Sequence, residues 1–427
     1  MPYSLRVFVG VWILYFLLVL LAPAYSMTSE MNQVVFLDAG FVALTSLVAV
    51  LTNYFLEKKL RVDSGYYLQQ VQGISDKLIR FTLLLALVGL LALMFDKIQV
   101  QHIDYSGELA RAREEWRELG EGREGVSSPY SMIGYALSTC FILTLVPLML
   151  SPRLLRPAKI GIALLGLFFF LMLNSILIGG RSIILLTLCF AVAFYVIRRE
   201  RGDRAYTFSK KTKIGLLILG GIAIMYIFYV FMSRASATHD GVSGAEYLEA
   251  MQEYMELKTA TWPALLEKSF PALGSLVAFG MLIITYLCHS AFIFAEYLQH
   301  QTDYAGDPFI LFNHMRGIFA KLGMIGPQST DWFLAGRFPS LPGALFHDGG
   351  YVLLFVGTLI LGGLVGVANF FTKAKQMSLM RVGFVSSVYT ILFLSPLLFA
   401  PDIMSFPFIV FEFIMFGVLF SKFRITK

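Results

Sequence analysis

About eleven stretches of this chain stay apolar over the roughly 20 residues that a helix needs to cross the hydrocarbon of a bilayer. They lie near 7–25, 34–56, 80–95, 130–150, 160–178, 181–197, 214–232, 275–295, 350–371, 383–400 and 402–420. A chain so built cannot hide these faces in one soluble core. Composition agrees: 57% of the 427 residues are hydrophobic and 15% charged, with a mean hydropathy of +0.71, whereas soluble domains are about 45–50% apolar and 25% charged. The expectation is an all-α, polytopic membrane helix bundle of about 11–12 transmembrane helices, one transmembrane domain over 1–427. Period-two alternation is absent, which argues against an outer-membrane barrel. The first run ends in "LLAPAYS", which resembles a cleavage site, but with so many spans following, a retained signal anchor is the reading.

Orientation follows from Lys and Arg. With the first residues cytoplasmic, the inner loops are 1–6, 57–79, 151–159, 198–213, 372–382 and 421–427. With Arg80 at the inner mouth of the third span, they carry 22 of the 34 basic residues. "RRERGDRAYTFSKK" after Ile197 is the strongest vote. The net charge of +6 therefore reports topology, not nucleic-acid binding. The three cysteines lie inside apolar runs, where they act as small hydrophobes and imply no disulfide framework.

The rule demands an even number of crossings between Met232 and Tyr351. Either 275–295 is a re-entrant or outer-face element, or it crosses and the poorer segment 309–326 brings the chain back. The predicted outer material is a charged periplasmic loop at 96–129 and a long periplasmic region at 233–350 between late helices. In "AEYLEAMQEYMELKTATWPALL", Tyr247, Leu248, Met251, Tyr254 and Met255 form one apolar stripe, with Glu246, Glu249, Glu253 and Glu256 facing away. That helix is expected to lie on the membrane or cap the bundle.

Familiar catalytic signatures are missing: no P-loop, no GxGxxG opening a helix, no HExxH and no CxxC pair. The inner loops are too small for a nucleotide-sugar catalytic domain. No His, Asp and Glu cluster has metal-ligand spacing, so no cofactor and no metal are expected, and chemistry is expected on the outer side.

Around "LNSILIGGRSIILL", Leu173 to Leu186, residues 160–197 must cross twice with no room for a solvated outer loop. Arg181 then sits at the outer hydrocarbon boundary. Gly179 and Gly180 let the chain turn and Ser182 can cap the next helix. Helix-start amides beside a guanidinium suit a phosphate group; an arginine that simply snorkels to headgroups fits the position equally well. Arg234, directly after an apolar run, stands at the same level. The long outer region holds His289, Glu296, His314, Arg316, Lys321, Asp331, Arg337, His347 and Asp348. In "PGALFHDGGYVLLF", His347 and Asp348 immediately precede a span, and Gly349–Gly350 permit close backbone approach. A histidine there can serve as a general base near neutral pH. Tyr247, Trp262, Tyr304 and Trp332 can stack on sugars or anchor the interface.

The "GGRS" turn, the "TYLCHSAFIFAEYL" segment and "FHDGGYVLLFVGTLILGG", with a long outer region late in the chain, resemble Wzy-type O-antigen polymerases over roughly 170–371. The resemblance implies an enzyme of the bacterial inner membrane, its active site facing the periplasm. Such an enzyme joins undecaprenyl-diphosphate-linked oligosaccharide units without nucleotide or metal, and takes as partners that lipid-linked glycan, membrane lipids and a chain-length regulator protein. It also implies outer-face arginines on the diphosphate, a role that Arg181 matches; Arg234, Arg316 and Arg337 are assigned to diphosphate or glycan by location, and His347 with Asp348 to catalysis. An O-antigen ligase shares this anatomy. A lipid-linked oligosaccharide flippase is the rival from another class, expected to show internal pseudo-repeats and charges near mid-membrane; neither stands out in the sequence.

Overall fold

The computed structural model describes residues 1–22, 24–25, 29–60, 72–105, 128–152, 155–178, 182–202, 262–300, 309–321, 323–326, 332–334, 337–374, 376–420 and 424–426, with isolated positions between 214 and 259. Its helices are α1 (Tyr3–Leu21), α2 (Ser29–Lys59), α3 (Gln72–Phe95), α4 (Pro129–Ser138), α5 (Leu145–Leu150), α6 (Pro157–Ile178), α7 (Ser182–Glu200), α8 (Trp262–Ser269), α9 (Pro271–Gln299), α10 (Asn313–Lys321), α11 (Leu341–Thr372), α12 (Leu379–Leu394) and α13 (Ser405–Leu419). Two short antiparallel ladders join Ala24–Tyr25 to Lys258–Thr259 and Gln376–Ser378 to Arg424–Thr426. Among the described residues, eight helical stretches are long and apolar enough to cross a membrane, one of them the composite Pro129–Leu150 that runs through α4 and α5, and α12 and α13 are shorter apolar helices. The chain is an all-α bundle of the polytopic kind. The expected run at 214–232 lies largely outside the described residues, as does 106–127 of the charged loop.

Two expected features take a different form. The run 130–150 is not one α-helix: α4 ends at Ser138, a 3₁₀ segment covers Thr139–Thr144, and α5 resumes at Leu145. The segment 309–326 contributes only α10, nine residues long. A nine-residue helix reaches about 14 Å, under half of the hydrocarbon thickness of roughly 30 Å, so α10 does not by itself bring the chain back across. In the glutamate-rich stretch, Leu248 of the expected stripe is buried and Glu246 and Glu249 are exposed; Gln252, outside that stripe, is buried too, and the other stripe side chains lie outside the described residues.

The chain forms two compact units. The first comprises 1–61, 241–370 and 388–404. Lipid tails are as apolar as leucine, so close backbone contact and internal hydrogen bonds hold such helices together. Both occur here. In "GGLVG" on α11, a Cβ on Gly362 would stand 2.7 Å from Val48 Cβ, and one on Gly366 would stand 2.5 Å from Thr52 Cβ and 2.8 Å from the Ala49 carbonyl. Helices α2 and α11 therefore touch backbone to backbone. Helix α1 is pinned by polar contacts: Ser4 Oγ donates to Asn369 Oδ1 at 2.7 Å, Trp12 Nε1 to Ser395 Oγ at 3.1 Å, and Tyr15 lies 2.6 Å from Ser290 Oγ. Because Ser290 donates to the Pro396 carbonyl, Tyr15 is the donor of its pair.

The second unit comprises 62–240, 371–387 and 405–427. Its core joins Phe190, Phe194, Phe406 and Phe413 by ring contacts of 6.1 to 6.3 Å. Arg201, buried, donates to the Ala374 carbonyl at 2.9 Å. At the end of α3 a π-helix, Asp96–Val100, carries buried Asp96 and Lys97.

Candidate functional site

Helix α11 is broken after its first two turns. Gly349 leaves helical geometry (φ −162°, ψ 23°), and Gly350 adopts φ 59°, ψ −154°, a region that only glycine enters without strain. The pair separates a short half-helix ending in His347–Asp348 from the long apolar helix that begins at Tyr351. The two glycines, expected to permit close backbone approach, serve here to break the helix.

Asp348 organises what lies in front of that break. Its Oδ1 accepts the Ile310 amide at 2.8 Å and its Oδ2 the Leu311 amide, also at 2.8 Å. Oδ1 also lies 2.9 Å from His347 Nδ1. With both carboxylate oxygens accepting amides, Nδ1 must be the donor, which leaves Nε2 as the ring nitrogen that Asp348 does not engage. The next two amides face a second acid. Phe312 and Asn313 point their N–H groups at Asp402, in the 3₁₀ turn Ala400–Asp402. Two carboxylates thus receive the four consecutive amides that lead into α10, donors that a helix start leaves without intrahelical partners. The entry is tight: Phe312 has φ 58°, and its ring meets Phe399 edge-on at 5.0 Å.

The imidazole is covered. The side chains of His347 and Asp348 are 2% and 1% exposed, and the Tyr297 ring centroid lies 4.7 Å from the imidazole, backed by Phe333 at 6.1 Å. A substrate reaches Nε2 only by displacing this cover. His300, 3.5 Å from Glu296, packs on the far side of Phe333 at 5.9 Å.

The other expected residues separate. Arg316, partly exposed, turns back on its own loop: Nη1 donates to the Phe309 carbonyl and the guanidinium lies 5.8 Å from the Phe309 ring centre. Arg337 is close enough to His289 for its charge to act there. Arg181, Arg234 and Asp331, and the side chains of His314 and Lys321, lie outside the described residues, so the site joins His347 to Asp348 and to the Ile310–Leu311 loop that precedes α10, the helix carrying Arg316.

Three acids escaped the sequence reading of the site. Asp402 belongs to it, though its run "LFAPDIMSF" reads only as a junction between spans. Asp38 on α2 and Glu412 on α13 are wholly buried inside apolar helices. A lone acid in "VVFLDAGFVAL" or "FIVFEFIMF" is itself a signal, since such residues are rare and commonly functional.

Burial raises the Asp402 carboxyl from 3.8 to about 8; the Asn313 and Phe312 amides oppose the shift, and Asp348 reinforces it. Between those values the folded chain holds a proton that the unfolded chain has released. The stability it contributes is complete below about pH 4 and is lost as the pH rises to about 8. Melting temperature is expected to fall between about pH 4 and 8, and the fall to flatten in Asp402→Asn, which cannot ionise. An unchanged slope in that variant would remove Asp402 as the titrating group.

No protein-family model matches the chain, no curated protein matches it, and no solved structure matches it.

Proposed function

We propose that this chain is a membrane glycosyltransferase that polymerises undecaprenyl-diphosphate-linked oligosaccharide units at the periplasmic face of a bacterial inner membrane. The observation that carries this reading is the imidazole of His347, oriented by Asp348 at a broken span and beside the loop that leads into α10, the helix that bears Arg316. Joining sugar units needs an acceptor hydroxyl made more nucleophilic by a base. It also needs cations on the departing diphosphate. His347 Nε2 is assigned the first task and the arginines, foremost Arg181, the second. Asp348 holds the imidazole and the loop, which makes it a positioning residue.

The test is incubation of the purified protein with a lipid-linked repeat unit and no nucleotide. A ladder of products is expected, greatly reduced in His347→Gln. Arg181→Lys, which keeps the charge but loses the planar fork, is expected to lose most of the activity as well. Wild-type ladders from Arg181→Lys would point to snorkelling instead. Polymerised but unattached chains in a knockout would indicate a ligase.

A second reading, movement of a lipid-linked oligosaccharide across the membrane, is favoured by Asp38 and Glu412. Export of the intact repeat unit into the outer leaflet of proteoliposomes, with no ladder, would select it.

A further inference from the structure

Residues 138–139, where α4 gives way to the 3₁₀ segment, lie against a buried acid from the opposite end of the chain. Glu412 is 0% exposed, and Thr139 Oγ1 donates to its Oε1 at 2.6 Å. The Cys140 thiol adjoins the same carboxyl. From α6, Asn174 Nδ2 donates to the Phe170 carbonyl at 2.9 Å and reaches the Ser138 carbonyl at 3.4 Å. Three oxygens at this junction, Glu412 Oε2, Asn174 Oδ1 and Ser138 Oγ, are buried with no hydrogen-bond partner among the described residues. No basic side chain among the described residues acts on Glu412. A carboxylate removed from water and left without a cation is strongly disfavoured. Ser138 and Thr139 keep right-handed helical torsions, so the span tightens here rather than unwinds, and the bonding shift leaves the Ser138 carbonyl to the Asn174 amide.

We propose that Glu412, Thr139, Ser138 and Asn174 form a binding site for one sodium ion at the junction of α4 and the 3₁₀ segment. The donors are all hard oxygens, which select alkali and alkaline-earth ions over softer metals. Charge then decides between those two classes. The site holds one acid, so a monovalent ion closes to neutrality, whereas calcium, normally held by several carboxylates, would leave a net positive charge buried. The inference stands independently of the polymerase reading, because the site lies in the second unit and uses none of the residues around His347.

The test compares melting of the purified full-length protein in sodium chloride and in choline chloride at equal ionic strength, together with binding of radioactive sodium. Sodium is expected to raise the melting temperature by several degrees in a saturable way, as a ligand specific for the folded state must. Glu412→Gln, nearly the same shape but uncharged, should melt normally in choline and lose the sodium response. Asn174→Leu should weaken it at least tenfold in sodium concentration. If the wild-type protein melts alike in both salts, or if choline and potassium act as sodium does, the proposal fails. It fails equally if Glu412→Gln retains the sodium response. A wild-type response to pH in place of sodium would assign the carboxyl to a proton and overturn the sodium site, and that result needs no variant to fold.

Discussion

Replacing Asp348 by alanine is expected to abolish activity and to loosen the first unit by about 3 kcal/mol or more, since hydrogen bonds to a charged group are worth roughly 1.5–3 kcal/mol each. Three donors lose their acceptor at once: the Ile310 and Leu311 amides and His347 Nδ1. None can turn to water without opening the entry to α10. Asp348→Asn keeps the shape but turns one accepting oxygen into a donor facing an N–H, so it should fall between wild type and alanine. His347→Gln separates the two roles of the pair. It leaves the carboxylate on its amides, so melting should stay near wild type while ladder synthesis collapses. Melting and ladder synthesis measured on the same preparations decide the matter. A stable, active Asp348→Ala protein would show that the loop is held by other contacts.

The second large effect is expected from Gly366→Leu. Overpacking of a core typically costs about 1–3 kcal/mol, and here the obstruction includes backbone. A first carbon at Gly366 already stands 2.8 Å from the Ala49 carbonyl and 2.5 Å from Thr52 Cβ. Neither is the movable end of a side chain, so α2 and α11 must separate, and the contacts along their length weaken together. Membrane abundance and the monodisperse fraction after extraction should drop severalfold, with Gly366→Ala milder. Gly363→Leu is the control, because a Cβ there meets nothing within 4 Å and the variant should behave as wild type. Equal abundance of Gly363→Leu and Gly366→Leu would mean that the close approach of these helices does not hold the unit together.

The apolar runs foretold eight of the helical stretches long enough to cross a membrane, because a segment without water must satisfy its backbone internally and does so as a helix wherever it stands. The runs near 160–178 and 181–197 became α6 and α7 with little change of boundary. Where a run contained a polar interruption the sequence was less decisive. Ser138 and Thr139 look like tolerable residues in an apolar stretch, and only packing against Gly89, Asn174 and Glu412 shows why the helix tightens there.

The same contrast runs through the site. "HDGG" was legible because its signals are local: two glycines release the backbone and two ionisable groups stand beside them. Asp348 binding the Ile310 and Leu311 amides was not legible, since it joins positions far apart in the chain. Asp402 was less legible still, as nothing near it in sequence marks it as a partner of Phe312 and Asn313. Arg316 was chosen for its level in the membrane, and tertiary structure turned it back onto Phe309. Hydropathy and charge act on each segment separately, so the sequence by itself determined which segments are helices and which loops are basic. Which acid meets which amide, and which glycine meets which helix, depends on contacts between segments distant along the chain, and only the folded arrangement decided those.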